Sequence, residues 1–361
     1  MSSTPSMASR LGANAVGLVA LLLAGSGCGG GAATGKPTTP AVGALPPLPG
    51  DPLRLVPAGA RTIARLDLDA LRASPHFATL QDWASRFVCL SAPGSQTLLR
   101  HTRGVIVAGL DTTPPSARPH GVALLAGDFS AGDARQALSE ACSYTATQCG
   151  AVVERPAGRF SVLHAGELSA APLGDHVLAV GEDEAVTAVL EVADGKRAAE
   201  QFSAEVVRGL DTRQWLAGHT LAFVTRLDDR VASRIGQELQ GVGGAALGDG
   251  LANGAAAFGL ALAQDASAEA RVAYAEPAAA DRGADSLRSL VGQAGFVMRL
   301  MGIPPLLDHL EVGVQAGLLR LGLRLSAEDV NSLRNQLMPL FEGKQAVCHD
   351  TLAALDSRNA P

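Results

Sequence analysis

The segments TIARLDLDALRASPHFATLQDWASRF, residues 62–87, and LAFVTRLDDRVASRIGQELQG, residues 221–241, decide the predicted fold of this chain. Each begins with the apolar and β-branched residues of a strand and continues with the apolar spacing of an amphipathic helix. The same tripeptide, Arg-Leu-Asp, stands at both junctions. A strand-to-helix junction that recurs with the same residues is typical of an internal repeat.

The elements that follow the two junctions occur in the same order: two strands, a helix, two further strands and a closing helix. Short turns between the strands favour antiparallel pairing. We therefore predict an α+β fold of two tandem βαββαββα-like units, with mainly antiparallel sheets and the helices packed on one face. The predicted ranges are 104–110, 120–129, 131–142, 158–167, 174–181 and 182–195 after the first junction, and 254–262, 268–276, 281–301, 310–317, 318–326 and 327–343 after the second.

The N-terminal 27 residues have the three parts of an export signal. Arg10 precedes an apolar run from Ala13 to Ala24, and the small residues 25–27 follow it. The run is shorter than the roughly 20 residues that a membrane-spanning helix needs. We therefore predict that residues 1–27 are a signal peptide.

The small residues before Cys28, in the segment LLLAGSGC (residues 21–28), resemble the lipobox of bacterial lipoproteins. The resemblance implies that Cys28 is lipidated, with fatty acids such as palmitate, and forms the mature N-terminus. With Gly29 after the cysteine, it also implies the outer membrane. We expect this lipid anchor to attach the protein to the membrane. The alternative is an ordinary secretory signal cut near Gly27 or Ala33, in which case Cys28 is incidental.

The segment between the cysteine and the folded part is rich in Gly, Ala, Thr and Pro and has no hydrophobic periodicity. Such a segment buries too little apolar surface to offset the entropy of ordering it. We predict a disordered tether over residues 28–51, a first α/β unit over residues 52–200, and a second unit with a C-terminal tail over residues 201–361.

Three segments of the folded part carry a second resemblance. The sequences VPAGA (56–60), LDLDALRASP (66–75) and VLAVGEDEAV (177–186), in this order of elements, resemble a group of uncharacterised bacterial envelope proteins with repeated α/β units. The resemblance implies the fold and identifies no catalytic residues.

The composition excludes several classes of function. A formal net charge of −6 and only three lysines leave no basic surface for nucleic acid. Nine Phe, two Trp and two Tyr are too few for a platform that stacks bases. The eight histidines are scattered without the spacing of metal ligands. We predict no nucleic-acid partner, no metal and no cofactor.

The only polar constellation that recurs is the Arg-Leu-Asp pair. Alternate residues of a strand share a face, so Arg65 and Asp67 are expected side by side, with Leu66 pointing into the core. The same holds for Arg226 and Asp228 in the second segment. The recurrence indicates either a duplicated binding site or a duplicated surface ion pair, and surface ion pairs of this kind are the commoner case.

Four further cysteines are expected to form disulfides, because an exported protein meets an oxidising compartment. Four cysteines allow three pairings. Cys142 and Cys149 are close in sequence, so a local bridge is expected between them, which leaves Cys89 to pair with Cys348.

The chain contains no Gly-x-Ser-x-Gly, His-Glu-x-x-His or phosphate-binding Gly-x-x-x-x-Gly-Lys-Ser/Thr motif. We therefore expect a membrane-tethered protein of the cell envelope or periplasm that acts as a non-enzymatic module and binds an envelope protein or ligand. Two alternatives stay open: an envelope hydrolase whose catalytic residues are dispersed along the chain, and a purely structural spacer.

Overall fold

The computed structural model shows an α+β fold built on one large antiparallel sheet. It describes residues 51–78, 101–110, 120–130, 132–138, 151–200, 210–227, 251, 254–300, 306–332 and 335. All twelve strands in these ranges belong to the one sheet. Among the described helices, none combines the length and the apolar composition needed to cross a membrane.

Seven strands lie before residue 200 and five lie after it. The first seven are β1 (Ala60–Asp67), β2 (Thr102–Leu110), β3 (His120–Gly127), β4 (Val153–Ala157), β5 (Phe160–Ala165), β6 (Leu168–Pro172) and β7 (Val177–Glu182). The other five are β8 (Leu221–Arg226), β9 (Ala255–Leu262), β10 (Ala266–Ala273), β11 (Leu310–Gln315) and β12 (Leu318–Leu325).

The helices connect or flank these strands. The α-helices are α1 (Leu68–Ala73), α2 (132–138), α3 (Asp183–Ala193), α4 (Thr212–Ala217) and α5 (Pro277–Leu300), with 3-10 turns at Pro52–Leu55 and Leu306–His309 and a helical segment at 327–332.

The first strands of the two halves pair at the centre of the sheet. The strand order is β11-β12-β10-β9-β8-β1-β2-β3-β7-β6-β5-β4. β1 and β8 run antiparallel, with Ile63 opposite Val224, and the hydroxyls of Thr62 and Thr225 lie 2.7 Å apart. The halves thus share one sheet, whereas separate sheets were predicted. Pairing the two strands satisfies rows of backbone N–H and C=O groups that each half alone would leave open.

The first half contains two strands that the sequence analysis missed, β4 and β6. Their sequences are VERPA and LSAAP, and both contain a proline. A proline cannot donate a ladder hydrogen bond, and neither segment shows a clear alternation of apolar and polar residues, so the pattern did not indicate a strand.

Helices cover both faces of the sheet, so the prediction that they pack on one face is wrong. We call the side of Ile63 and Ile106 the first face and the side of Leu66 and Val105 the second face. The first-face core includes buried residues of α3, α4 and the turn at Pro52–Leu55. The second-face core includes residues of α1 and α2, and α5 packs on the same side through a smaller cluster. Adjacent buried residues such as Val105 and Ile106 point in opposite directions, which requires cover on both sides.

The two halves end differently on the first face. In the first half, α3 packs against β3, β6 and β7 through residues such as Val186 and Val189. In the second half, helical residues 327–332 follow β12, and Val330 packs against the second-face core. Leu318 and Ala273 still belong to the first-face core, but among the described residues no helix covers the rest of the first face of β10, β12 and β11 as α3 covers the first half.

A tight hairpin fixes the register of β11 and β12. The two residues between the strands, Ala316 and Gly317, both have positive φ, at 53° and 75°. Positive φ at both positions is the requirement of the turn whose twist matches that of the flanking strands. The turn places Gln315 opposite Leu318 and Glu311 opposite Gly322.

Candidate functional site

The recurrent pair in β1, Arg65 and Asp67, forms an ion pair, and each of its side chains also binds the end of a helix. Nη2 of Arg65 lies 3.1 Å from Oδ2 of Asp67. Nη1 of Arg65 donates to the carbonyl of Leu216 in α4 at 2.9 Å, and Oδ1 of Asp67 accepts from the N–H of Ala70 at 2.9 Å, which caps α1. Leu66 is buried on the opposite face. These contacts give both side chains a structural role.

The second copy of the pair is only partly described. Arg226 ends β8 with its side chain exposed, and its carbonyl accepts from Nε of Arg61 at 3.3 Å. Asp228 lies outside the described residues, so a second ion pair stays a prediction. The lipidation site and the disulfide candidates also lie outside them: Cys28, Cys89, Cys142, Cys149 and Cys348.

A cleft of about 390 Å³ adjoins the Arg65–Asp67 pair. The other charged side chains that line it are each paired as well: Arg213 with Asp51, Arg103 with Asp128, and Asp69 with Arg72. Because each charge already has a partner, a charged ligand would have to break an ion pair in order to bind here.

A serine, a histidine and an aspartate meet on the first face beside α3. Oγ of Ser169 lies 2.6 Å from Oδ1 of Asp183 and 2.9 Å from Nδ1 of His164. Nδ1 of His164 is also 2.9 Å from Oδ1 of Asp183. Ser169 and Asp183 therefore share one ring nitrogen.

This arrangement does not activate the serine. A catalytic triad places the serine and the carboxylate on opposite ring nitrogens, so that the histidine can remove the serine proton. Here the carboxylate is the nearest acceptor for the hydroxyl, and Ser169 is 0% exposed, which leaves no path for a substrate. The cluster is a partly buried hydrogen-bond network around a buried serine, and it gives the hydrolase alternative no nucleophile.

An open concavity lies over the first face of β10, β12 and β11. Its volume is about 820 Å³ and it opens to solvent. We call it the strand groove, defined by Glu269, Glu311, Gln315, Arg320 and Arg324, with His219 and His309 also lining it.

The floor of the strand groove is bare backbone. Gly313 of β11 and Gly322 of β12 both lie on the first face. A Cβ built on Gly313 would meet no atom within 4 Å, and one built on Gly322 would meet only Glu311, at 3.9 Å. The two glycines therefore leave space above the sheet that side chains would otherwise occupy.

Two arginines of like charge stand directly opposite each other beside this floor. Arg271 of β10 pairs with Arg320 of β12, an arrangement that destabilises a sheet unless the charges are bridged. Oε1 of Glu269 bridges them, 2.8 Å from Nε of Arg271 and 3.2 Å from Nη2 of Arg320. Partial burial acts to raise the pKa of Glu269, but the two guanidinium groups outweigh it and lower that pKa.

Arg271, Arg320 and Arg324 differ in the contacts that they make with other described residues. The guanidinium of Arg271 lies 4.8 Å above the ring of Trp215 in addition to its contact with Glu269. Arg320 also donates to Gln315. Arg324 is exposed and has no ion-pair partner among the residues described in the structure. Among the described residues, Arg324 is thus the arginine of the groove with the fewest contacts to the protein.

These residues were not predicted as a site. The signal was present as alternation: in β12, Leu319, Leu321, Leu323 and Leu325 lie on the second face, and Leu318, Arg320, Gly322 and Arg324 lie on the first. In β10, Glu269 and Arg271 alternate with Ala and Val in the same way. Only the pairing of β10 with β12 brings the two sets together. Within the described ranges, no group of three or more His, Cys, Asp or Glu side chains could hold a metal ion.

Comparison with known proteins assigns no family. No family model matches the chain, and no curated protein matches it. Among solved structures, the chain is similar to crystal form I of TP0453, with a TM-score of 0.42 and 10% sequence identity over 79% of this chain and 97% of the other. Crystal form III of TP0453 gives a TM-score of 0.41 and 10% identity over 79% and 98%. Likeness at this level carries no argument about function.

Proposed function

We propose that this chain is an envelope lipoprotein, anchored in the outer membrane through Cys28, whose folded part is a non-enzymatic module that binds its ligand in the strand groove. The observation that carries the proposal is the open concavity of about 820 Å³ on a part of the first face where charged side chains stand in place of an apolar core. Concave sites with a few converging polar groups are where proteins bind small ligands.

The pattern of cover on the sheet supports this choice of surface. Elsewhere on the first face, the strands present buried residues such as Val122 and Val177 to the helices. On β10 and β12, the equivalent positions carry Glu269, Arg271 and Arg320. Charged residues at these positions are unfavourable under a helix and favourable toward solvent or a polar ligand.

The proposal includes a tandem duplication of the folded part. In the first half, the strand order from the centre outward is β1-β2-β3-β7-β6, with β5 and β4 added at the edge. In the second half it is β8-β9-β10-β12-β11. The shared order of first, second, third, fifth and fourth strand supports duplication, with β4 and β5 as an insertion in the first half.

The groove is tested by filling it. Gly322→Val places a branched side chain over the floor, where the structure has room for a Cβ, and valine favours a strand. Purified wild-type and variant protein are immobilised and exposed to detergent-solubilised envelope, and the retained molecules are identified by mass spectrometry. We expect Gly322→Val to lose what the wild type retains. Arg155→Ala, at the opposite edge of the sheet on the same face, is the control and should retain it.

Equal retention by wild type and Gly322→Val would exclude the strand groove as the binding surface. If neither protein retains anything specific, the spacer alternative is favoured.

The anchor is tested separately. Because the lipid is attached through the cysteine sulfur, Cys28→Ala should lose labelling by a fatty-acid probe and move from the membrane fraction to the soluble periplasm. A variant that still fractionates with the membrane contradicts the anchor and leaves the groove experiment unaffected.

A further inference from the structure

Two charges of opposite sign line the strand groove. Glu311 of β11 and Arg324 of β12 are both exposed, and neither has an ion-pair partner among the described residues. The other charges of the groove region are bridged, since Glu269 holds Arg271 and Arg320. Among the described acidic and arginine side chains of the groove, one carboxylate and one guanidinium are therefore left without an ion-pair partner.

The register places these two groups at diagonal positions across bare backbone. Glu311 is directly opposite Gly322, and Arg324 lies two residues further along β12 on the same face. Diagonal neighbours on adjacent antiparallel strands have Cα atoms roughly 7–8 Å apart. Because residue 322 is glycine, it places no side chain between the two groups, so a small ligand can contact both while resting on the strand.

We infer that the strand groove recognises a zwitterion, a compound in which a short linker joins an ammonium group to a phosphate or carboxylate. The inference rests on the proposed function and names the ligand class of that site. The carboxylate of Glu311 accepts from the ammonium, and the guanidinium of Arg324 donates to the anionic oxygens, for which its planar fork is suited. An anion alone is attracted by Arg324 but repelled by Glu311, and a cation alone is attracted by Glu311 but repelled by Arg324.

The test uses phosphoethanolamine as the probe, with inorganic phosphate and ethanolamine as its separate halves. Binding is measured by calorimetry at low ionic strength, because salt screens exposed charges over about 10 Å at 0.1 M. We expect phosphoethanolamine to bind at least about tenfold more tightly than either half, and each truncation below to cost about tenfold, equivalent to about 1.4 kcal/mol.

Three variants assign the contacts. Arg324→Ala should weaken binding of phosphoethanolamine and of phosphate. Glu311→Gln should weaken binding of phosphoethanolamine and should not weaken binding of phosphate. Arg155→Ala removes the same charge from the same face at the far edge and should change neither. Because Arg324 and Glu311 are exposed and without described partners, their replacement should leave the thermal unfolding midpoint unchanged.

A further arm separates a soluble ligand from a lipid headgroup. Vesicles of phosphatidylethanolamine present the same zwitterion on a membrane, and phosphatidylglycerol vesicles present the phosphate without the ammonium. Sedimentation of the protein with the first vesicle and not the second identifies a headgroup, and binding of the free probe alone identifies a soluble compound.

Equal affinity for phosphate and phosphoethanolamine would overturn the inference in favour of a simple anion site, and absence of binding of free or vesicle-borne zwitterion would also overturn it. If Gly322→Val abolishes retention of envelope material while the zwitterion fails to bind, the proposed function stands and the ligand class is wrong.

Discussion

Replacing Glu269 tests whether the cross-strand arginines are held together by their bridge. Glu269→Gln keeps the size of the side chain and an acceptor oxygen but removes the negative charge that faces Arg271 and Arg320. The two guanidinium groups, which are directly opposite each other, then repel without compensation. We expect the variant to fold and to be less stable than the wild type.

The magnitude follows from the exposure of the three side chains. Arg271, Glu269 and Arg320 are 21%, 31% and 41% exposed, so their ion pairs are partly screened by water. Exposed ion pairs contribute roughly 0.2–1 kcal/mol each, and two pairs near the middle of that range give about 1 kcal/mol. With an m-value of about 3 kcal/mol/M, the urea midpoint should fall by about 0.3 M.

The lowered pKa of Glu269 predicts how the stability difference between the two proteins depends on pH. The pKa of Glu269 is lowered in the folded protein, so its contribution is present above the unfolded pKa and is lost as the pH falls through the folded one. The difference between wild type and Glu269→Gln should therefore be constant near pH 7, shrink once the pH falls below the unfolded pKa of about 4.3, and vanish below the lowered folded pKa. Glu276→Gln, an exposed glutamate after β10, is the control. A difference that persists in acid, or equal midpoints at pH 7, would refute the bridging role.

Three further changes probe other parts of the fold by urea unfolding. Gly181→Ala should destabilise the protein by more than about 2 kcal/mol, because its Cβ would lie 2.3 Å from the backbone oxygen of Gly121. Gly109→Ala is the control: its Cβ would have its nearest contact at 3.6 Å, so it should lower stability by less than half as much. Equal losses of stability in the two variants would contradict the close approach of β3 and β7. Ala316→Asn should raise stability by about 0.5 kcal/mol, since asparagine tolerates positive φ better, and a loss would argue against this turn. The pKa of Glu182 is raised in the folded protein, mainly by burial. The stability of the wild type should therefore decline relative to that of Glu182→Gln as the pH rises from about 4.5 to 7. A wild type that instead loses stability relative to Glu182→Gln on acidification would contradict this prediction.

Sequence pattern predicted most of the regular elements but not how they assemble. The strands from 104, 120 and 254 and the helices near 182 and 281 were predicted within a few residues of their observed bounds, because their apolar spacing is strong. β4 and β6 were missed, because proline and small residues weaken the strand pattern. The single sheet could not be predicted, because nothing in a strand's own sequence states which edge it will pair with.

The sequence by itself determined the predictions for the N-terminal signal, for the tether and for Cys28, since these depend on local composition. It also determined that Arg65 and Asp67 share a face, since neighbours two apart in a strand always do. The tertiary structure alone decided that β1 meets β8, that helices cover both faces, and that a concavity opens over the first face of β10, β12 and β11. The strand groove combines residues separated by about fifty positions, and long-range strand pairing, which no local pattern encodes, is what brings Glu269, Glu311 and Arg324 onto one surface.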